Sequence, residues 1–260
     1  MLFYRGDLEA FLGGPTVALI GSRRCSQYGL RVARALGREL ASAGVRIVSG
    51  LARGIDSEAH RGCIDGGGRT LAVLGSGLDV IYPGENARLA EEISLTGILM
   101  SEFLPGTPPA SCNFPRRNRL ISAFSKIVVV VEAGDRSGTM ITVDAALSQG
   151  RDVMAVPGEI LRKGSTGSNR LLRDGAGVVT SASDVLDALG IPDRAGTCPA
   201  AGPACGRAAA VMAALEEGPL HFDELLRRVT LDAPALLALL VDLEMGGRVV
   251  QRPGKMFEPG

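Results

Sequence analysis

From Thr16 onward, short apolar runs rich in β-branched residues alternate with stretches of helical spacing, and few architectures accommodate that order. The runs fall at 16–20, 45–49, 70–74, 98–101, 127–131 and 153–156. Most are continuously apolar, which suits central parallel strands buried on both faces; a strand with one wet face would alternate. Between them, 28–43 carries Leu30, Ala33, Leu36, Leu40 and Ala41 at helical spacing, and Gly44 follows as a stop signal. Stretches 54–65, 87–95, 119–125 and 139–149 read as helices in the same way. The pattern predicts a doubly wound, mostly parallel α/β sheet over residues 1–190.

Residues 191–206 offer little to bury. Pro192, Gly196, Pro199, Gly202 and Pro203 stand among small residues, so this stretch reads as a linker. Beyond it, 207–217, 222–229 and 233–245 have helical patterns, and 248–251 and 255–258 flank a Pro253-Gly254 turn. Three helices and a hairpin predict a small winged-helix-like domain over 207–260.

Charge narrows the function. Lys plus Arg and Asp plus Glu number 28 each, so nothing in the whole chain pulls it toward a polyanion, and any nucleic-acid site must be a local patch. The five cysteines are scattered, with no Cys-x-x-Cys pair, which predicts no metal site and fits a reduced, cytoplasmic setting. No apolar run approaches the roughly 20 residues of a membrane span, and Met1 opens no signal pattern, so no membrane partner is expected.

In an open α/β sheet, ligands settle at the carboxyl ends of the strands. The first expected strand runs into Gly21-Ser22-Arg23-Arg24; Arg23 takes the position of the second glycine of a dinucleotide fingerprint, so a nicotinamide cofactor is not expected. A turn with backbone donors and two guanidinium groups still suits a phosphate. The second strand leads into Gly50, Arg53, Gly54 and Asp56, with His60 one turn further on. The Asp56 and His60 pair invites acid/base chemistry, but no nucleophile or metal ligand accompanies it, and a structural histidine is the expected reading. Gly75-Ser76-Gly77 lacks a third glycine and reads as a turn.

Asn113-Phe114-Pro115-Arg116-Arg117-Asn118-Arg119 is free of acidic residues as far as Lys126 and reads as an electropositive loop. Phe114 within it is a candidate stacking ring for a nucleobase. After the fifth strand, Ser137-Gly138-Thr139 opens a helix and offers free N–H groups and hydroxyls to an anion; no Walker lysine follows. Arg162-Lys163-Gly164-Ser165 and Ser168-Asn169-Arg170 add a further small, basic, polar loop. Five such loops on one sheet edge match the repeated phosphates of a strand.

These ordered blocks, together with Gly77-Leu78-Asp79, Tyr82-Pro83, Ile121-Ser122 and Thr142, closely resemble the DNA-processing protein A (DprA/Smf) family over about residues 4–190. The resemblance implies an extended Rossmann-like domain that forms a homodimer, binds and shields single-stranded DNA, and helps load the RecA recombinase during natural transformation. It implies no enzymatic activity, catalytic residue or cofactor. The positively charged pocket that holds the strand in that family maps here to Arg23, Arg53 and the block 114–119; with the loops read above, the expected DNA-binding residues are Gly21, Ser22, Arg23, Arg53, Gly54, Phe114, Arg116, Arg117, Asn118, Arg119, Ser137, Gly138, Thr139 and Lys163.

Two departures stand out. Family members often carry an N-terminal helical domain, whereas only about fifteen residues precede the first expected strand here. The helical stretch 233–245 lacks Lys and Arg and holds Asp242 and Glu244, so the tail is expected to meet a protein rather than duplex DNA. The alternative function is a nucleotide-processing enzyme of the phosphoribohydrolase type. Those enzymes resemble a Pro-Gly-Gly-x-Gly-Thr pattern, whereas the chain has Asp135-Arg136-Ser137-Gly138-Thr139.

Overall fold

The computed structural model describes residues 1–135, 137–191, 211–212, 214–215, 218–229, 233–245, 249–252 and 254–259. The chain divides into two compact units, Met1–Asp193 and Arg194–Gly260.

The first unit is built on a sheet of eight strands among the described residues, in the order β1-β5-β4-β3-β2-β6-β7-β8. These are β1 (Phe3–Gly6), β2 (Thr16–Gly21), β3 (Arg46–Ser49), β4 (Thr70–Val73), β5 (Ile98–Ser101), β6 (Ile127–Glu132), β7 (Asp152–Ala155) and β8 (Gly177–Val178). All pair in parallel except β1, which runs antiparallel to β5 with Phe3 opposite Ser101. The helices are α1 (Leu8–Leu12), α2 (Gln27–Ser42), α3 (Ile55–Asp65), α4 (Ala87–Thr96), α5 (Asn113–Ala123), α6 (Thr139–Ser148), α7 (Thr166–Arg173) and α8 (Ala182–Ala188).

Successive strand residues point to opposite faces, and both faces are covered. On one, Val17, Leu19, Ile47 and Val129 pack against Leu36 and Leu40 of α2, Cys63 of α3 and Val185 of α8. On the other, Ala18, Ile20, Val48 and Val128 meet Leu120 and Ile121 of α5, Val143 of α6 and Leu171 of α7. Double coverage explains why the strand runs are continuously apolar. After β2 the chain builds outward through β3, β4 and β5, then returns to add β6 on the other side of β2. That reversal opens a crevice at the carboxyl ends of β2 and β6, where open α/β sheets receive ligands.

Three local expectations are corrected. The first strand is Phe3–Gly6, inside the stretch expected to precede the sheet. The block 113–119 is not a loop but the first two turns of α5; Pro115 is compatible with this because first-turn N–H groups lack intrahelical partners anyway. Between 157 and 190 the chain forms two further helices, and Ser168-Asn169-Arg170, expected in a basic polar loop, lies within α7.

In the second unit, β9 (Leu220–His221), β10 (Val249–Arg252) and β11 (Met256–Pro259) form an antiparallel sheet in the order β10-β11-β9. Helices Phe222–Arg228 and Ala233–Met245 supply Leu225, Leu236, Leu240 and Leu243 to its own core with Val211, Leu215, Val249 and Phe257. This is a winged-helix arrangement. The expected linker 191–206 lies outside the described residues apart from Ile191, and of the expected helix 207–217 only residues 211–212 and 214–215 are described.

Candidate functional site

The crevice has a volume of about 690 Å³. Three segments far apart in sequence form most of its wall: Gly21, Ser22, Arg23 and Arg24 after β2; Phe114, Arg117 and Asn118 on α5; and Ser137, Gly138, Thr139 and Thr142 where α6 begins. An adjoining pocket of about 230 Å³ is lined by Arg23, Arg24, Arg53, Tyr82 and Phe114, among others.

Each segment is held by bonds its sequence supplies. Ser22 N–H donates to the Glu132 carbonyl at 2.7 Å, tying the turn after β2 to the end of β6. Ser26 caps α2 by accepting from Gly29 N–H at 2.9 Å, and its own hydroxyl donates to the buried Glu132 carboxylate at 2.5 Å. The turn thus presents Arg23 and Arg24 to solvent from a fixed base. At α6, the Ser137 hydroxyl accepts from Thr139 N–H at 3.2 Å and donates to Thr139 Oγ1 at 2.8 Å. Asn118 links α5 to this turn: Oδ1 accepts from Arg117 Nε at 3.2 Å, and Nδ2 donates to the Gly138 carbonyl at 3.5 Å.

The Arg23 guanidinium lies over the Phe114 ring, with Cζ 4.9 Å from the centroid. Stacking of this kind leaves the in-plane N–H donors free for an oxyanion. The ring is seated by glycine: a Cβ on Gly75 would lie 2.7 Å from Phe114 Cδ1, closer than packing allows.

Arg117 belongs to the interior, which corrects its reading as part of an exposed basic surface. It is 3% exposed and its Nη1 donates to the Gly50 carbonyl at 2.7 Å and to the Val73 carbonyl, so it pins α5 to the ends of β3 and β4. Asp56 accepts from Gly50 N–H at 3.1 Å on the other side of that residue. Burial raises the Asp56 carboxyl above its usual range, against the pull of Arg117 and the N–H groups of Ala52 and Gly50. Burial likewise brings Arg117 down to about 10, opposed by Asp56, which leaves it charged at neutral pH.

The remaining expected residues are spread more widely. Arg53 lines the smaller pocket but pairs with Glu85 at 2.8 Å, and Gly54 behind it caps α3 with φ of 81°. Arg116 sits over Phe103 at 5.6 Å, and Arg119 pairs with Glu102, so neither faces the crevice wall described above. Lys163 is exposed in the turn Lys163–Ser165 beyond β7 and lines neither cavity. Arg136 lies outside the described residues. Arg24, Tyr82 and Thr142 also line the crevice. The doubled arginine at 23–24 was the sequence signal for the first, and Tyr82, on the loop between β4 and α4, was marked only as part of the Tyr82-Pro83 block of the family resemblance.

His60 is structural. It is fully buried, its Nδ1 lies 2.6 Å from Thr70 Oγ1, and burial holds its pKa down to about 3. Among the described residues no group of three or more His, Cys, Asp or Glu could hold a metal ion, and no helix is long and apolar enough to cross a membrane.

An open, doubly wound sheet with an arginine-rimmed crevice at its switch point, followed in the chain by a winged helix, defines the class: a Rossmann-like α/β protein with a C-terminal winged-helix domain. The family model for DNA recombination-mediator protein A matches residues 1–190, and the DprA winged helix domain matches 198–255. The chain belongs to the DNA recombination-mediator protein A (DprA/Smf) family. It is 46% identical over 190 residues to the DNA processing protein DprA of Streptococcus pneumoniae, covering 72% of this chain and 65% of that protein. It is 48% identical over 189 residues to Protein Smf of Escherichia coli, covering 72% and 50%. The matched stretch therefore spans half to just under two thirds of these relatives. The solved structure of S. pneumoniae DprA aligns with a TM-score of 0.68 at 44% identity, covering 72% of this chain and 65% of that one. DNA processing protein A of Helicobacter pylori, solved for its single-stranded DNA binding mode, aligns with a TM-score of 0.67 at 31% identity, covering 72% and 86%. The phosphoribohydrolase alternative is set aside by these family matches.

Proposed function

We propose that this chain binds single-stranded DNA in the switch-point crevice without regard to sequence, shields it, and helps load it onto RecA recombinase, working as a homodimer in the cytoplasm and not as an enzyme. The observation that carries the reading is the convergence of Gly21, Ser22, Arg23 and Arg24 with Phe114, Arg117 and Asn118 and with Ser137, Gly138, Thr139 and Thr142 on one crevice. It combines exposed guanidinium groups, hydroxyls, the amino end of α6 and aromatic rings, the set that grips phosphates and unpaired bases together. Arg117 and Gly54 support this surface, and Asn118 ties its α5 and α6 sides together; Arg23, Arg24 and Arg53 supply its charge. The single-strand mode described for the H. pylori relative and the family's role as recombination mediators favour the same substrate and the RecA partnership.

The test is a fluorescence-anisotropy titration of the chain with labelled oligo(dT) over a salt series, with duplex DNA and free nucleotides as competitors. Arg23→Ala and Arg24→Ala together are expected to weaken binding and to flatten the salt slope by roughly 0.7 per lost phosphate contact. Affinity and slope unchanged in the double variant would remove the crevice from the reading.

A further inference from the structure

Which ring receives a base is decided by what already covers the rings; the inference rests on the single-strand reading above. Phe114, the aromatic that sequence favours, is occupied. Arg23 lies over its ring, with Cζ 4.9 Å from the centroid, and the backbone at Gly75 abuts its edge. Tyr82 meets Phe114 in a tilted contact, with centroids 5.7 Å apart and planes at 39°, within the usual range for aromatic pairs. Yet Tyr82 remains 47% exposed and lines both the crevice and the adjoining pocket of about 230 Å³.

The polar groups of that pocket define what it accepts. Three of the backbone carbonyls near it are engaged: Gly50 by Arg117, Leu51 by Asn86 Nδ2 at 2.9 Å, and Ala52 by the Ser57 hydroxyl at 2.7 Å. Beside them the pocket offers a ligand an aromatic face flanked by the exposed cations Arg23, Arg24 and Arg53. A flat ring carrying phosphates on either side matches this set, and an aromatic platform accepts any base because every base has a π-face.

We propose that Tyr82 is the base-stacking platform of the site, seating one nucleobase in the smaller pocket, and that Phe114 is a positioning residue that holds the Arg23 guanidinium flat for the neighbouring phosphate.

The experiment compares the 260-residue chain with its Tyr82→Ala, Tyr82→Phe and Tyr82→Leu variants on oligo(dT), on the same strand carrying one 2-aminopurine, and on a fully abasic strand. Tyr82→Ala and Tyr82→Leu are expected to weaken oligo(dT) roughly 5- to 100-fold, the loss of one base–aromatic stack, with the salt slope unchanged. Tyr82→Phe is expected to bind as wild type. On the abasic strand all four proteins should bind alike, and stacking-dependent quenching of 2-aminopurine should vanish in the Ala and Leu variants only. Tyr82→Leu keeps an apolar side chain at the rim, so it carries the test if Tyr82→Ala fails to fold. Loss of affinity equal on normal and abasic strands, or none on either, overturns the assignment while the single-strand reading stands. A wild-type chain that binds no single strand overturns both.

Discussion

Arg117 and Asp56 grip Gly50 from opposite sides: Arg117 Nη1 donates to its carbonyl at 2.7 Å, and its N–H donates to Asp56 Oδ2 at 3.1 Å. No side chain larger than hydrogen fits between them, because a Cβ on Gly50 would lie 2.7 Å from Arg117 Nη2 and 2.8 Å from Asp56 Oδ2. The loop after β3 is therefore fixed by a buried cation and a buried carboxylate. The crevice floor is a strut, and the exposed arginines at its rim are the groups free to meet a ligand.

Removing that cation should cost stability before it costs binding. Arg117→Met leaves Asp56 buried without its neighbouring charge and strips the donor from the Gly50 and Val73 carbonyls. Breaking a buried charged arrangement from one side costs about 3–5 kcal/mol. Arg117→Lys should recover only part of this, since one ammonium group does not reproduce a planar fork. Urea unfolding monitored by circular dichroism measures both, and a loss under about 1 kcal/mol for Arg117→Met would show that the strut carries no weight.

Arg53 gives the opposite kind of prediction. It is exposed but paired with Glu85 at 2.8 Å, so a phosphate must compete with that carboxylate. Glu85→Gln should tighten single-strand binding and steepen the salt slope by up to roughly 0.7, one added phosphate contact. Arg119, paired with Glu102 outside the crevice, supplies the control: Arg119→Ala should leave the slope unchanged. Salt-series anisotropy reads all three proteins, and an unaltered slope in Glu85→Gln would exclude Arg53 from the phosphate path.

His60 sets a pH dependence of stability. Thr70 Oγ1 donates to the Ile47 carbonyl, so it accepts from His60 Nδ1–H, and Nε2 has no hydrogen-bond partner. Burial, with Arg117 and Arg61 adding to it, lowers the imidazole from 6.5 to about 3. The unfolded chain therefore takes up a proton below pH 6.5 that the folded chain refuses until about pH 3. The stability present above the upper value falls by about 1.4 kcal/mol per pH unit through that window. His60→Gln should lose this slope and differ from wild type by roughly 2 kcal/mol in its change between pH 6.5 and 5. Asp56 titrates in both proteins and drops out of the difference; parallel stability curves would refute the buried neutral imidazole.

The sheet was legible because burial on both faces writes each central strand as an uninterrupted apolar run. Phe3–Gly6 escaped because an antiparallel edge strand of four residues, FYRG, has no such signature and is defined only by its register with β5. Gly177–Val178 is too short to leave any pattern. The crevice loops were visible through their Gly, Ser and Arg residues, but the roles within them were not. Reading 113–119 as a loop treated Arg116, Arg117 and Arg119 as equivalent. On a helix, Arg117 shares a face with Asn113, Leu120 and Ile121, all buried, whereas Arg116 and Arg119 turn outward. Helical spacing held the signal, and Pro115 concealed it.

Gly75 and Phe114 allow packing to be separated from binding. Gly75→Ala places a methyl group 2.7 Å from Phe114 Cδ1 and 3.0 Å from Cε1, so the ring must shift, at an overpacking cost of about 1–3 kcal/mol. Phe114→Leu should relieve that clash, which makes the double variant more stable than Gly75→Ala alone and the pair non-additive. Binding should not recover with stability, because leucine gives the Arg23 guanidinium no aromatic face to lie on. Urea midpoints and oligo(dT) affinities for the two single variants and the double complete the cycle. Rescue of affinity together with stability would mean that Phe114 only fills space and that Arg23 finds its orientation without the ring.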